Sequence, residues 1–470
     1  MLSSPPVAAG VSAGHPATAE AGIEALRRGG SAADAAVAAA LASCVAETVM
    51  TGIVGGGHAI YYEAESGRTR LLDFFVAMPG LGSPARKPNL RELRVKFGNE
   101  FVHYFIGVAS CAVPGVPAGL HTLWREHGRL SWAEVVAPAL ELARRGVDMP
   151  PAHAACLAML APLMTMREGE RIYSPGGRLL EAGDRLDQPG LVRTFEVVAQ
   201  EGARTFYEGT LADALIELVD ERGGLVTRGD LEAYEAVWLD PVEASYAGTR
   251  IRTRGGLSHL VETLEQLAPV RDLSAADRAL TLARVLTAPA YSGRKYDDTT
   301  NLNVVDGDGN ACVVTTSLGL GSGDFIPGFD VHLNSMLGES DLLIGPLKPG
   351  LRMESMMAPL VAVDDDGLVL AAGAAGGTRL KPALVQVLSG VLDEGLDPQA
   401  AVDRPRLHST GEVVHMEPGF EESAYEALAD AGFDVRRWPA VHHYFGGVSL
   451  IARTGAAADP RRSGGALPLR

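Results

Sequence analysis

From Asp298 to Leu318 the chain reads Asp298-Thr299-Thr300-Asn301-Leu302-Asn303-Val304-Val305-Asp306-Gly307-Asp308-Gly309-Asn310-Ala311-Cys312-Val313-Val314-Thr315-Thr316-Ser317-Leu318. Two runs rich in β-branched residues flank a turn built from Asp, Gly and Asn, which predicts a β-hairpin. Centring the turn on Asp308 sets Thr299 opposite Ser317 and Asn301 opposite Thr315. Side chains alternate along a strand, so these four polar groups share one face. A hydroxyl row of this kind is more often a solvated surface than a reactive site. The pattern therefore settles the local structure and leaves its chemistry open.

Nearer the N-terminus, Ala19 to Val45 reads as two Ala-rich helices separated by Arg28-Gly29-Gly30-Ser31, a stop followed by an N-cap. The apolar part, Ala35 to Ala46, ends at Glu47 and falls short of the ~20 residues that span a bilayer, so it predicts a buried helix. Gly52-Ile53-Val54-Gly55-Gly56-Gly57 then leads into an alternating strand, His58 to Tyr62. That glycine run lacks the GK[ST] of a phosphate loop and the GxGxxG spacing of a dinucleotide turn, which leaves close backbone packing as its reading. Helical periodicity follows over about 115–145 and 211–236, the latter with Thr227-Arg228-Gly229-Asp230 as a cap. The stretch from Arg250 to Lys295 is charged and helical in pattern and reads as a solvated face.

The formal charge of −17 and pI near 5.2 argue against a nucleic-acid-binding surface. A 47% hydrophobic, 21% charged composition is that of a folded globular chain. Cys44, Cys111, Cys156 and Cys312 show no metal-binding cadence and read as buried thiols in a reducing compartment. The first basic residue is Arg27, so no secretory signal is visible and the chain reads as cytoplasmic, with no membrane segment. His442-His443 reads as a turn or rim, Asp364-Asp365-Asp366-Gly367 as a β-turn, and Asp330 beside His332 has no Ser or Cys motif to serve; no metal site and no cofactor is expected.

Asp298-Thr299-Thr300 followed by NVVDGDGNA resembles the processing site of the γ-glutamyltransferase (γ-glutamyl transpeptidase) family of N-terminal nucleophile hydrolases. Further blocks in the family's order are HPATAEAGIEALRRGGSAADAAVAAAL, GIVGGGHAIYY, AVPGVPAGLHTLWREHGRLSWAEVVAPALELARRG, FYEGTLADAL, DLEAYEAVW, GAAGGTRL, RPRLHS and ADPRRSGG. The resemblance implies an α+β fold, a four-layer αββα sandwich. It also implies cleavage before Thr299 into fragments 1–298 and 299–470 that stay together as a heterodimer, which further oligomerisation can extend. Thr299 is then nucleophile and, through its freed amine, base. Thr315 positions it, Gly376 and Gly377 supply oxyanion-binding N–H groups, and Ser317, Glu339 and Ser355 contact a small-molecule γ-glutamyl amide, with water or an amine as acceptor.

Several positions depart from the family pattern. Asn301 replaces a usual His, Gly319 an Asn, Met336 a polar residue, and Glu339 an Asp; of a Ser-Ser pair only Ser355 remains, followed by Met356. An Arg-Glu pair is Phe75-Val76, and Arg86 is the nearest candidate for the arginine that grips a substrate carboxylate. The segment before Thr299 is shorter, its usual Pro-Ser-Gly stretch reduced to Arg254-Gly255-Gly256. The leading reading is a self-processing γ-glutamyl amide hydrolase or transferase acting on glutathione-like compounds; the alternatives are an acylase of the same family with a non-γ-glutamyl substrate, and a non-processing binding relative.

Overall fold

A computed structural model describes residues 5–83, 87–97, 100–287 and 299–469. Two sheets stack face to face with helices outside each. In chain order their strands are β1 (Gly10–Ala13), β2 (Gly56–Glu63), β3 (Arg68–Phe74), β4 (Val237–Leu239), β5 (Val242–Tyr246), β6 (Thr249–Thr253), β7 (Thr300–Val305), β8 (Ala311–Ser317), β9 (Leu360–Asp364), β10 (Gly367–Ala375), β11 (Gly447–Ala452), β12 (Gly455–Ala457) and β13 (Gly465–Pro468). One sheet runs β13-β1-β7-β8-β2-β3-β4, the other β12-β11-β10-β9-β6-β5. Ile60, Tyr62, Val305, Val313, Val361, Ala371 and Ile451 fill the seam between the sheets. This is the expected αββα sandwich, with apolar residues on both faces of each sheet because both faces are covered.

The two N-terminal helices are α1 (Pro16–Arg27) and α2 (Ala32–Ala46). Ser31 caps α2 in a reciprocal box with Asp34, as the Gly-Gly-Ser punctuation predicts. Every residue of α2 is buried. Its small side chains let it lie centrally in the outer layer, beneath the sheet that carries the hairpin. The helices α3 (Val116–His127), α4 (Trp132–Arg145) and α5 (Pro151–Met164) follow. Periodicity over 211–236 overstates one element: the helix Thr210–Arg222 stops at Gly223, which takes a left-handed conformation, and Thr227 starts a separate turn at Arg228–Glu232. The Arg250–Lys295 stretch also differs from expectation. Its first residues form β6, where Ile251 and Thr253 are buried and Arg250 and Arg252 are partly exposed, before helices at Leu260–Gln266 and Ala275–Thr287. An alternation of only four or five residues is lost in a charged, helix-like surrounding.

The predicted hairpin register holds. Thr300 pairs with Thr316 and Asn301 with Thr315. The glycine run packs backbone on backbone as expected: a Cβ on Gly55 would lie 2.2 Å from the Ser317 carbonyl oxygen, and one on Gly57 2.4 Å from that of Thr315. The four cysteines are buried free thiols, and Asp364 pairs with Gly367 across the β9–β10 turn. Among the described residues no helix is long and apolar enough to cross a membrane.

Candidate active site

Thr299 is the residue immediately before β7 and is 2% exposed. Continuing the strand register puts it opposite Ser317, whose Oγ accepts from the Gly319 N–H at 2.9 Å. The hydroxyl row is therefore no solvated surface: a second sheet covers it. Thr300, pointing the other way, donates to Glu47 at the C-terminus of α2, and Thr316 meets the Thr51 hydroxyl at 2.9 Å. One hairpin thus presents polar groups both to the seam and to the helical layer.

On the seam face, the Asn301 carboxamide, oriented so that both ends are satisfied, donates to Thr315 Oγ1 at 2.7 Å and accepts from Ser449 Oγ at 2.9 Å. Gly373 on β10 makes room for it, since a Cβ there would come within 2.0 Å of that carboxamide. Gly373→Ala is expected to force Asn301 off Thr315, destabilising the fold by about 1–3 kcal/mol through overpacking. A lowered Tm checks this; an unchanged Tm would show that Asn301 can move aside.

A cavity of ≈ 10 Å³, about the room one water needs, is lined by Glu47, Met50, His153, Thr299, Thr300 and Arg462, among others. Burial holds His153 neutral by pulling its pKa down to about 3. Burial pushes the Glu47 carboxyl up to about 7, opposed by hydrogen bonds from Thr18 and Thr300 and by the Arg462 charge. Ala375 also lines the cavity, and Gly376 and Gly377 follow it directly at the end of β10. Gly376 has φ 126° and a Cβ there would sit 2.9 Å from Gly446 Cα, so only glycine fits. Behind this wall the RPRLHS and ADPRRSGG blocks meet: Arg406 pairs with Asp459 at 2.6 Å and Arg461 with Glu417, all four side chains buried. That network holds the chain entering and leaving Arg462.

Glu339, 1% exposed, packs against Gly319: a Cβ at that position would lie 2.0 Å from its Oε1 and 2.7 Å from Ser335 Oγ. The two departures from the family pattern are thus one steric exchange, the longer acid filling the space an Asn side chain would need. Ser355 is buried on the segment entering β9; its Oγ accepts from the Met357 N–H at 3.1 Å and its carbonyl from Arg254 at 2.7 Å. Phe75 and Val76 lie beside Gly56, the strand partner of Ser317, and cluster with Met336, Met353 and Met357. Arg86 lies outside the described residues, as does Asp298.

Thr299, Ser317, Glu339 and the Gly376-Gly377 pair are therefore gathered from four separate segments around one end of the sandwich. The cavity residues Glu47, His153 and Arg462 were not singled out by the sequence. Glu47 was visible there only as the residue that ends an apolar run, and Arg462 only as part of the ADPRRSGG block.

The model of the family described as Gamma-glutamyltranspeptidase matches residues 18–279 and 274–469. Among relatives, the acylase ACY 1 proenzyme of Pseudomonas sp. (strain V22) is 29% identical, over 93% of this chain and 88% of its own. The glutathione hydrolase proenzyme of Bacillus subtilis (strain 168) is 26% identical over 97% and 91%. The crystal structure of cephalosporin acylase from Bacillus halodurans superposes with a TM-score of 0.82 at 24% identity, covering 98% of this chain and 96% of that one, which shows a shared fold. With the match spanning nearly all of the sandwich, the chain belongs to the γ-glutamyltranspeptidase family of N-terminal nucleophile hydrolases.

Proposed function

We propose that the chain cleaves itself between Asp298 and Thr299, and that the two fragments remain together as a hydrolase of small-molecule amides acting through a Thr299 ester. The observation that carries this is the buried Thr299 hydroxyl at the head of β7, beside a water-sized cavity and the Gly376-Gly377 turn. A Thr hydroxyl is a weak nucleophile until a base sits beside it, and a freed α-amine on the same residue supplies one. Thr315 accepts from Asn301, which leaves its own proton to hydrogen-bond the Thr299 oxygen. The Gly376 and Gly377 N–H groups meet the developing oxyanion. The departing amine takes the proton held by the Thr299 amine, and water opens the ester.

Two substrate classes compete. Glu339 and Ser355 keep groups suited to the ammonium and carboxylate of a γ-glutamyl amide. Against that stand Phe75, Val76 and the methionine cluster beside Ser317, an apolar wall where the family pattern has an Arg-Glu pair. Among the described residues the arginines beside the wall are already engaged by backbone, Arg352 with the Phe75 carbonyl at 2.6 Å and Arg254 with the Ser355 carbonyl at 2.7 Å, so a free carboxylate against the wall would be desolvated without a dedicated bidentate partner. The wall favours the acyl-amide reading, in keeping with the relatives named acylases. A panel of acyl amides and γ-glutamyl anilides is expected to show kcat/KM at least about 10-fold higher for acyl amides. Preference for γ-glutamyl anilides would restore the glutathione-like reading.

A further inference from the structure

Glu47 sits where a carboxylate is least comfortable. It is the C-cap residue of α2, at the negative end of the helix dipole, and it is 1% exposed. Among the described residues its carboxyl accepts from two hydroxyls, Thr18 Oγ1 at 2.6 Å and Thr300 Oγ1. Gly14 is shaped around it: a Cβ there would lie 2.6 Å from Glu47 Oε2 and 2.7 Å from Thr300 Oγ1. A buried acid without a cation in contact costs several kcal/mol unless it is protonated or a cation arrives. Glu47 lines the same cavity as Thr299, and that cavity has room for a group the size of water or an ammonium.

We propose that Glu47 handles the proton of the Thr299 nitrogen, as acid during self-cleavage and as counter-charge to the new α-ammonium afterwards. This rests on the self-cleaving reading above. In the precursor the Thr299 oxygen bonds to the Asp298 carbonyl carbon while the C–N bond breaks, its electron pair staying on nitrogen. That nitrogen gains one proton from the Thr299 hydroxyl and one from the Glu47 carboxyl, giving an ammonium beside a carboxylate. Water then adds to the ester, releasing the Asp298 carboxyl group and restoring the Thr299 hydroxyl.

The neighbours permit this. From α2, the Cys44 thiol is pushed up to about 12 and stays neutral. His15, at the head of α1, and His153 on α5 are pulled down to about 4 and about 3 and are neutral as well. Asp459 is occupied by Arg406 and Arg461. Arg462 is the cation facing Glu47, and its Nη1 donates to Met50 Sδ at 3.2 Å. Among the described residues lining the cavity, Glu47 is thus a group that burial brings to titrate near neutral pH.

The test is the pH dependence of cleavage, followed by intact mass on freshly folded wild type, Glu47→Gln and Thr300→Val. Wild-type cleavage should fall as pH rises through about 7, where the carboxyl loses its proton. Glu47→Gln should cleave at least about 10-fold more slowly at pH 7 and show no such fall. Thr300→Val removes a donor that favours the carboxylate, so the fall should move to higher pH. In the cleaved form, Glu47→Gln removes an anion beside the ammonium, so the acid limb of kcat/KM should move down by about 1 pH unit. Wild-type rate and pH profile in Glu47→Gln would overturn the role of Glu47 alone. A wild type that never cleaves would overturn the self-cleaving reading and this one with it. If Glu47→Gln fails to fold, the Thr300→Val profile decides, and an unshifted fall overturns the proposal.

Discussion

Thr299→Ala is expected to purify as one uncut chain of 49.3 kDa. Wild type should separate under denaturing conditions into pieces of about 31 and 18 kDa, the 49.3 kDa mass divided in the ratio 298:172, the smaller beginning at Thr299. The expected effect is all-or-none because in the proposed mechanism one oxygen performs both reactions: removing it would take away the attack that opens the chain and the attack that opens the substrate. Amide hydrolysis should fall by at least about 10⁴-fold, the scale set when a nucleophile is deleted from a covalent mechanism. The side chain replaced is small and sits at the start of a strand, so the fold should survive with little change in Tm. Thr299→Ser keeps the hydroxyl and should still cleave. Intact mass spectrometry and N-terminal sequencing read these outcomes directly. Cutting at the same bond in the Ala variant would remove Thr299 from the mechanism.

Gly376→Ala should be the next most damaging change. The residue has φ 126°, and an added Cβ would lie 2.9 Å from Gly446 Cα and 3.2 Å from Arg462 Nη2. Backbone, not a flexible side-chain tip, is the nearest obstacle, so the turn itself must move. Strain of this kind costs about 1–3 kcal/mol. The larger consequence concerns the N–H groups proposed to meet the oxyanion, which contribute only when aimed at the transition state; losing one is expected to lower kcat by about 10²–10³-fold with a smaller change in KM. Gly395→Ala is the control, since Gly395 also has positive φ but a Cβ there meets nothing within 4 Å. It should lower Tm without lowering kcat. Equal loss of Tm in both variants with kcat intact in Gly376→Ala would mean that this turn is structural and no part of the reaction.

How much of this was legible beforehand depends on the range of the interactions. The hairpin register came from turn chemistry and alternation within about twenty consecutive residues, and Thr300 does pair with Thr316. The Ala-rich helices and the Ser31 cap are equally local. The Gly52–Gly57 run announced close packing, and its neighbours prove to be the carbonyls of Ser317 and Thr315. By contrast β6 was hidden, because a short alternating strand between charged residues carries too little pattern to compete with the helices that follow it. Gly319 and Glu339 looked like two independent departures; they share one space.

The sequence by itself determined the layered α+β class, the Thr299 hairpin and its register, and the family, since each is written in local patterns or in blocks of residues in a given order. Only the tertiary structure decided that the hydroxyl face is sealed by a second sheet, that Phe75 and Val76 join a methionine wall beside Ser317, and that Glu47 and Arg462 line the cavity at Thr299. Glu47 lies 253 positions from Thr300 along the chain, and its proton affinity is set by burial and by the hydroxyls that the sheet and helices bring to it. Desolvation and contact depend on what arrives from elsewhere in the chain, and no local pattern encodes that.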